Sequence, residues 1–242
     1  MSGLLSTLSP GYLSPGPHKD SKFAAWAGAT RAQHGIRLQR GGVRSDQRRH
    51  YIHLPFDEDA VAAEAKRFPH GTFFLYDEPD GDGAIGADEY ARIYAKFVSS
   101  IRSGSATAHA SPAGFVYPDS IHYIDKFYDA CRARNIRIDE WRFHTDYGPS
   151  ADDYEKWELD VATARDWAVA RGARMVLVWA CHKTVSEGDD MLDHLSKAMD
   201  MISNDNSIVE AVWWAYNRAD HHNLINPDGT LTADGQLFVQ LM

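Results

Sequence analysis

From about residue 70 onward, short unbroken apolar runs alternate with longer stretches whose apolar positions recur every three or four residues. Thr72–Tyr76 is aromatic and β-branched and stops at an acidic, glycine-rich segment, which predicts a strand. Ala87–Ile101 then places Tyr90, Ile93, Tyr94, Phe97, Val98 and Ile101 on one face, the spacing of a helix laid on a sheet. A strand is expected at Ala106–Ala110, followed by a loop containing Pro and Gly. Ile121–Arg134 reads as a helix, Ile138–His144 as a strand, and Asp152–Arg171 as a long helix that Gly172 caps. Met175–Cys181 is almost wholly apolar, which suits a parallel strand covered on both faces. Met191–Ile202 is expected to be helical and Ile208–Tyr216 extended, with a last helix from Ala233.

Strands separated by helices imply a parallel sheet, either closed into a barrel or open and doubly wound. The chain has 242 residues, and a (β/α)8 TIM-type barrel takes about 250. One such α/β barrel is therefore expected, as a single domain over 1–242. Its first part is harder to fit: strands at Ile36–Gln39 and Tyr51–Leu54 and a helix at Asp59–Phe68 leave little room for three full βα units. The barrel is expected to be abbreviated or irregular over 1–70 and regular over 71–242. Neither an internal repeat nor a linker is visible.

Composition narrows the partners. A formal net charge of −9 argues against a polyanion such as nucleic acid. The one basic cluster, Arg37, Arg40, Arg44, Arg48 and Arg49, reads as a solvated surface. Cys131 and Cys181 are the only cysteines and have no CxxC spacing, so neither a zinc ribbon nor a disulfide framework is expected. The first residues lack a basic region followed by a sustained apolar run, so no secretory signal is expected. No stretch has the apolar length of a membrane span, and a soluble chain with no membrane partner follows. Seven Trp residues suit flat apolar ligands or sugar rings, although Trp fills cores as readily. Oligomeric state is not legible.

Parallel α/β folds carry their sites on the loops that leave the C-terminal ends of strands. Asp77, Glu78, Pro79, Asp80 and Asp82 follow the first of these strands. His144, Asp146 and Tyr147 follow Ile138–Phe143, and His182, Lys183, Glu187, Asp189 and Asp190 follow Met175–Cys181. Asn217, Arg218, Asp220, His221 and His222 follow the last strand. A carboxylate at the end of a buried strand is partly desolvated, which raises its pKa and suits general-acid work. A turn made by Pro79 and Asp80-Gly81 accounts for the same residues about as well. Tyr90, Tyr94 and Phe97, and likewise Trp157 and Trp167, read as core. The Asp80–Gly83 run lacks the spacing of a calcium loop and reads as a turn.

FFLYDEPD followed by ADEYARIYAKFVSSIR resembles the fourth βα unit of the clan A glycoside hydrolases, whose strand ends in Asn-Glu-Pro. IDEWRFHTDYG is similar to their sixth strand, and the segment from Val209 through the Asn-Pro-Asp-Gly turn to Phe238 to their eighth. The resemblance covers roughly residues 65–242 and rests mainly on the order of elements. It implies that Glu78 is the general acid/base and that Asp77 stands where the family has a sugar-binding Asn. Asp there removes a donor and adds a charge beside Glu78, and repulsion between the two raises one pKa. The resemblance further implies sugar contacts from Trp141, His144 and Tyr147, and an aromatic floor from Trp213 or Trp214. Trp179, His182 and Asn217 stand at neighbouring rim positions.

The family also implies a second carboxylate at the end of the seventh strand. The corresponding position here is near Ala180, between Trp179 and Cys181. A retaining enzyme needs its two carboxylates about 5–5.5 Å apart and an inverting one about 6.5–9.5 Å. Glu187, Asp189 or Asp190 could supply the partner from the following loop, and Glu187 is the candidate taken here. The expected activity is hydrolysis of an oligosaccharide or glycoside, with no cofactor. One alternative is a glycan-binding barrel without its nucleophile. Another is a metal-dependent enzyme using His144, Asp146, His182, Glu78 and the His221-His222 pair, for which no ligand spacing speaks.

Overall fold

A computed structural model describes the backbone of residues 4–5, 23–29, 34–40, 49–52, 54–75, 79–80, 85–112, 114–138, 140–147, 151–181, 196–198, 200–202, 204–214, 232 and 236. Side chains at 4–5, 23–29, 34–40, 49–51, 146–147, 151–153, 176, 178–181 and 209–214 are outside that description. The chain divides into two compact units.

The first unit comprises Met1–Leu8, Arg44–His144 and Ala170–Arg174. Its main sheet runs in the order β1 (Leu4–Leu5), β4 (Arg49–Ile52), β5 (Thr72–Leu75), β6 (His109–Pro112). The pairs β4–β5 and β5–β6 are parallel, and β1 runs antiparallel to β4. Helix α1 (Glu58–Arg67) starts where the Asp57 carboxylate accepts the Ala60 amide at 3.0 Å, with Glu58 and Asp59 in its first turn and Lys66 and Arg67 in its last. Those charges complement the helix dipole. Helix α2 (Ala87–Gly104) buries Tyr90, Tyr94, Phe97 and Ile101, as the periodicity predicts. Two of these keep a polar handle: the Tyr90 hydroxyl donates to the Leu75 carbonyl at 2.6 Å and Tyr94 to the Ala110 carbonyl at 3.0 Å. Gly104 lies so close to the α1 backbone that a Cβ there would sit 2.0 Å from the Ala62 carbonyl oxygen.

β6 begins three residues later than the apolar pattern predicts. The Ser105 hydroxyl accepts from the amides of Thr107 and Ala108, and Thr107 donates to the Pro69 carbonyl at 2.7 Å. Side-chain bonds of this kind hold residues 105–108 in a turn at the expense of the ladder. The Pro- and Gly-containing stretch expected to be loop holds β7 (Gly114–Val116), which pairs in parallel with β8 (Glu140–Tyr147). Helix α3 (Ile121–Ala133) buries Ile124, Phe127 and Cys131, and Asn135 at φ 56° turns the chain after it. Asn is one of the few residues that accept this conformation without large cost. Cys131 is a free, buried thiol whose pKa burial pushes up to about 12, so it is packed as an inert apolar group.

The second unit comprises Ser9–Val43, Thr145–Val169 and Met175–Met242. β9 (Arg174–Cys181) and β10 (Ile208–Trp214) are parallel, as expected of alternating strands and helices. The wholly parallel expectation fails at the N-terminal end. β2 (Phe23–Ala29) and β3 (His34–Arg40) form an antiparallel hairpin, and β3 pairs antiparallel with β10. Residues 30–33 are too few for a parallel crossover, which needs about a dozen. Helix α4 (Ala151–Ala170) buries Tyr154, Trp157, Val161, Ala164 and Ala168, and the Trp157 indole donates to the Thr145 hydroxyl at 3.1 Å. Gly172 follows it at φ 71°, the conformation in which glycine ends helices.

The fold class is α/β. Among the described residues β1-β4-β5-β6 is an open sheet, and closure into an eight-stranded barrel is not seen. Of the helix expected at Met191–Ile202, residues 196–198 and 200–202 are helical; of the last helix, only Gln236 is described, and it is helical. No helix among the described residues is long and apolar enough to cross a membrane.

Candidate functional site

Asp77, Glu78, His182, Glu187 and Asn217 lie outside the described residues. Tyr147, Trp179 and Trp214 are placed by backbone: Tyr147 ends β8, Trp214 ends β10, and Trp179 stands in β9 in register with Trp213. Trp141 and His144 are placed with their side chains, and β8 turns them to opposite faces.

Alternation along a strand sends Trp141 and Phe143 one way and Arg142 and His144 the other. Trp141 is completely buried among aromatic rings, with Phe115 at 5.7 Å, Phe127 at 5.9 Å and Phe143 stacked at 6.2 Å between centroids. Since Phe127 belongs to α3, this face of β8 is the one covered by the helix. Trp141 is thus a core residue beneath α3 rather than a ring on the strand's polar face.

The other face is polar and equally buried. Arg142 lies with its guanidinium 5.4 Å from the centre of the Phe74 ring, and Phe74 stands in register with the buried Ser111 of β6. His144 is 5% exposed and leans over β7, where a Cβ on Gly114 would sit 2.1 Å from its Nε2. Gly114 is required there because the imidazole occupies the space of any larger side chain. Sequence reasoning names His144 but passes over Arg142, although a spacing of two residues along a strand is the signal that they share a face.

Asp80 joins this group from the loop after β5. Its Oδ2 accepts the Val116 amide at 3.0 Å, across 36 residues of sequence. The next amide, that of Tyr117, donates to the His144 carbonyl at 3.0 Å. Burial raises the Asp80 pKa above its ordinary value, against the opposing pull of the Ser120 hydroxyl, its own amide and that of Val116, and nearby His144. Tyr123, whose hydroxyl donates to the Ile85 carbonyl at 2.7 Å, is pushed above the usual phenol range by burial and then by the Asp80 charge. The Asp80–Gly83 run reads as a plain turn in the sequence, and nothing in the spacing betrays a partner so far along the chain.

The arrangement offers a buried carboxylate, an imidazole, two phenols (Tyr117 and Tyr123) and a guanidinium around the ends of β5, β7 and β8. Such a set can orient hydroxyl-rich ligands and exchange protons with them. Among the described residues no group of three or more His, Cys, Asp or Glu is placed to hold a metal ion.

No protein-family model matches the chain, and no curated protein does. Solved structures do. The chain is similar to a GH128 subgroup II endo-β-1,3-glucanase from Sorangium cellulosum, with TM-score 0.60, 19% identity, and 79% of this chain and 80% of that one covered. It is also similar to a curdlan-specific GH128 subgroup III exo-β-1,3-glucanase from Blastomyces gilchristii, solved with glucose (TM-score 0.55, 19% identity, 83% and 84% covered). A GH128 subgroup VII oligosaccharide-binding protein from Cryptococcus neoformans matches at TM-score 0.57 and 15% identity, with 84% and 83% covered. At these identities the likeness is one of fold, and it is consistent: the chain has a glycoside hydrolase-like α/β fold.

Proposed function

We propose that this chain is a carbohydrate-active hydrolase acting on β-1,3-linked gluco-oligosaccharides, with Glu78 as general acid/base. One observation carries the reading: Asp77-Glu78-Pro79 directly follows β5 in a fold shared with β-1,3-glucanases. Three of those structures hold laminari-oligosaccharides, which makes such sugars the first substrates to try. In this reading the fold is a single (β/α)8 barrel. His144, Tyr147, Trp179, His182, Trp214 and Asn217 contact the sugar, and Asp77 raises the Glu78 pKa by like-charge repulsion. The second carboxylate comes from Glu187, because β9 contains neither Asp nor Glu between Arg174 and Cys181.

That same lack of a carboxylate favours a second reading, a glycan-binding protein without turnover. The likeness to an oligosaccharide-binding protein supports it. Release of reducing ends from laminari-oligosaccharides by metal-free protein decides between them. Turnover by the wild type that disappears in Glu78→Gln and Glu187→Gln is the expected result. Binding of the same sugars without turnover would establish the second reading, and neither binding nor turnover would overturn both.

A further inference from the structure

The residues between Leu75 and Asp80 are bracketed by two long-range hydrogen bonds. On one side the Tyr90 hydroxyl of α2 holds the Leu75 carbonyl at 2.6 Å, and on the other the Val116 amide holds the Asp80 carboxylate at 3.0 Å. The loop beyond is tied as well: the Ile85 amide donates to the Pro79 carbonyl at 3.1 Å, and Tyr123 of α3 donates to the Ile85 carbonyl. Only a few residues separate the two anchors, at about 3.8 Å per Cα step. A segment this short, held at both ends, has little freedom left. Glu78 is inside it.

The Asp80 anchor also reaches β8. Consecutive amides of one peptide segment, those of Val116 and Tyr117, donate to Asp80 and to the His144 carbonyl. The position of the loop after β5 and the position of His144 are therefore read off the same two residues.

We propose that Asp80 is a positioning residue for Glu78: by accepting the Val116 amide it fixes the loop after β5 against the end of β7, and so sets where the acid/base carboxylate stands. The inference rests on the reading of Glu78 given above. What it requires of Asp80 is an acceptor oxygen at that point rather than a charge, so Asn satisfies it and Ala does not.

The test compares wild type, Asp80→Ala and Asp80→Asn on a laminari-oligosaccharide, with amide hydrogen exchange at Val116 measured on the same proteins. Misplacing a catalytic group by an ångström costs on the order of 100-fold in rate. Asp80→Ala is expected to lower kcat by about that factor with KM within about threefold, the pattern of lost transition-state stabilisation. Val116 exchange is expected to speed up about tenfold, as one hydrogen bond implies, and Asp80→Asn is expected to restore most of both. Tyr94→Phe, which removes a hydrogen bond remote from this loop, serves as the control for a mere loss of stability and should leave kcat alone. If Asp80→Ala does not fold, Asp80→Glu moves the carboxylate by one methylene and gives the same readout. Unchanged kcat in Asp80→Ala, an equal loss in Tyr94→Phe, or Asp80→Asn as impaired as Asp80→Ala would overturn the proposal. Absence of wild-type turnover would instead remove the acid/base reading, and with it the positioning role. Val116 exchange would still report whether the Asp80 clamp exists.

Discussion

The two faces of β8 are equally buried and chemically opposite. Trp141 and Phe143 sit in a continuous aromatic cluster with Phe115 and Phe127, where contact area and ring geometry do the stabilising. Arg142 and His144, one residue along, are just as inaccessible but carry a charge and a titratable ring. Burying such groups costs free energy that an apolar pair would not. A fold that keeps them on one face while the other is ordinary core is holding that face for ligand chemistry. Burial alone would not have distinguished the two; the partners do.

The comparison can be broken most directly at Trp141. Trp141→Ala should destabilise the protein by about 3–5 kcal/mol, the usual cost of emptying a packed aromatic site, in denaturant unfolding. A loss under about 1 kcal/mol would mean that this face is not the load-carrying core described. Gly114→Ala probes the other face. Its Cβ collides with the His144 ring, so a cost of about 1–3 kcal/mol is expected. The collision should be relieved in the His144→Ala background, and an undiminished penalty in the double mutant would contradict the placement of the imidazole. Tyr94→Phe tests whether apolar packing alone holds α2 down. Loss of its bond to the Ala110 carbonyl should cost about 0.5–1.5 kcal/mol, measured as a shift in unfolding midpoint at constant slope.

The smallest effect is a pH dependence. Because burial raises the Asp80 pKa above 3.8, the folded state favours its protonated form. That contribution is present below about pH 4 and is lost as pH rises through the raised value. The wild type should therefore lose stability relative to Asp80→Asn on going from acid to neutral pH. A difference that ran the other way would show that the amide of Val116 outweighs burial.

The helix faces were readable because they repeat: Tyr90, Tyr94, Phe97 and Ile101 announce the buried side of α2 by spacing alone. The turn at Ser105–Ala108 was not, since small residues of strand-like pattern were diverted by hydroxyl–backbone bonds. β2 escaped notice because Phe-Ala-Ala-Trp-Ala-Gly-Ala is poor in β-branched residues, and its antiparallel pairing is decided by the short connection to β3. Within the site, His144 was legible from its place after an apolar run. Trp141 was assigned to the sugar although three positions from His144 along a strand is an odd number, which puts the two on opposite faces. Asp80 could not be read at all, for its partner lies 36 residues on and is a backbone amide without any side-chain signature.

The two tyrosine hydroxyls of α2 have a consequence for how the sheet keeps its alignment. Parallel strands are normally prevented from sliding by an apolar pattern that would be misplaced after a one-residue slip. On the face of Phe74, Ser111, Arg142 and His144 that pattern is weakened by polar side chains. Tyr90 grips β5 and Tyr94 grips β6, one helical turn apart on a rigid rod. The helix thus works as an external gauge, setting the offset between two strands from the back and leaving their front free to change its side chains.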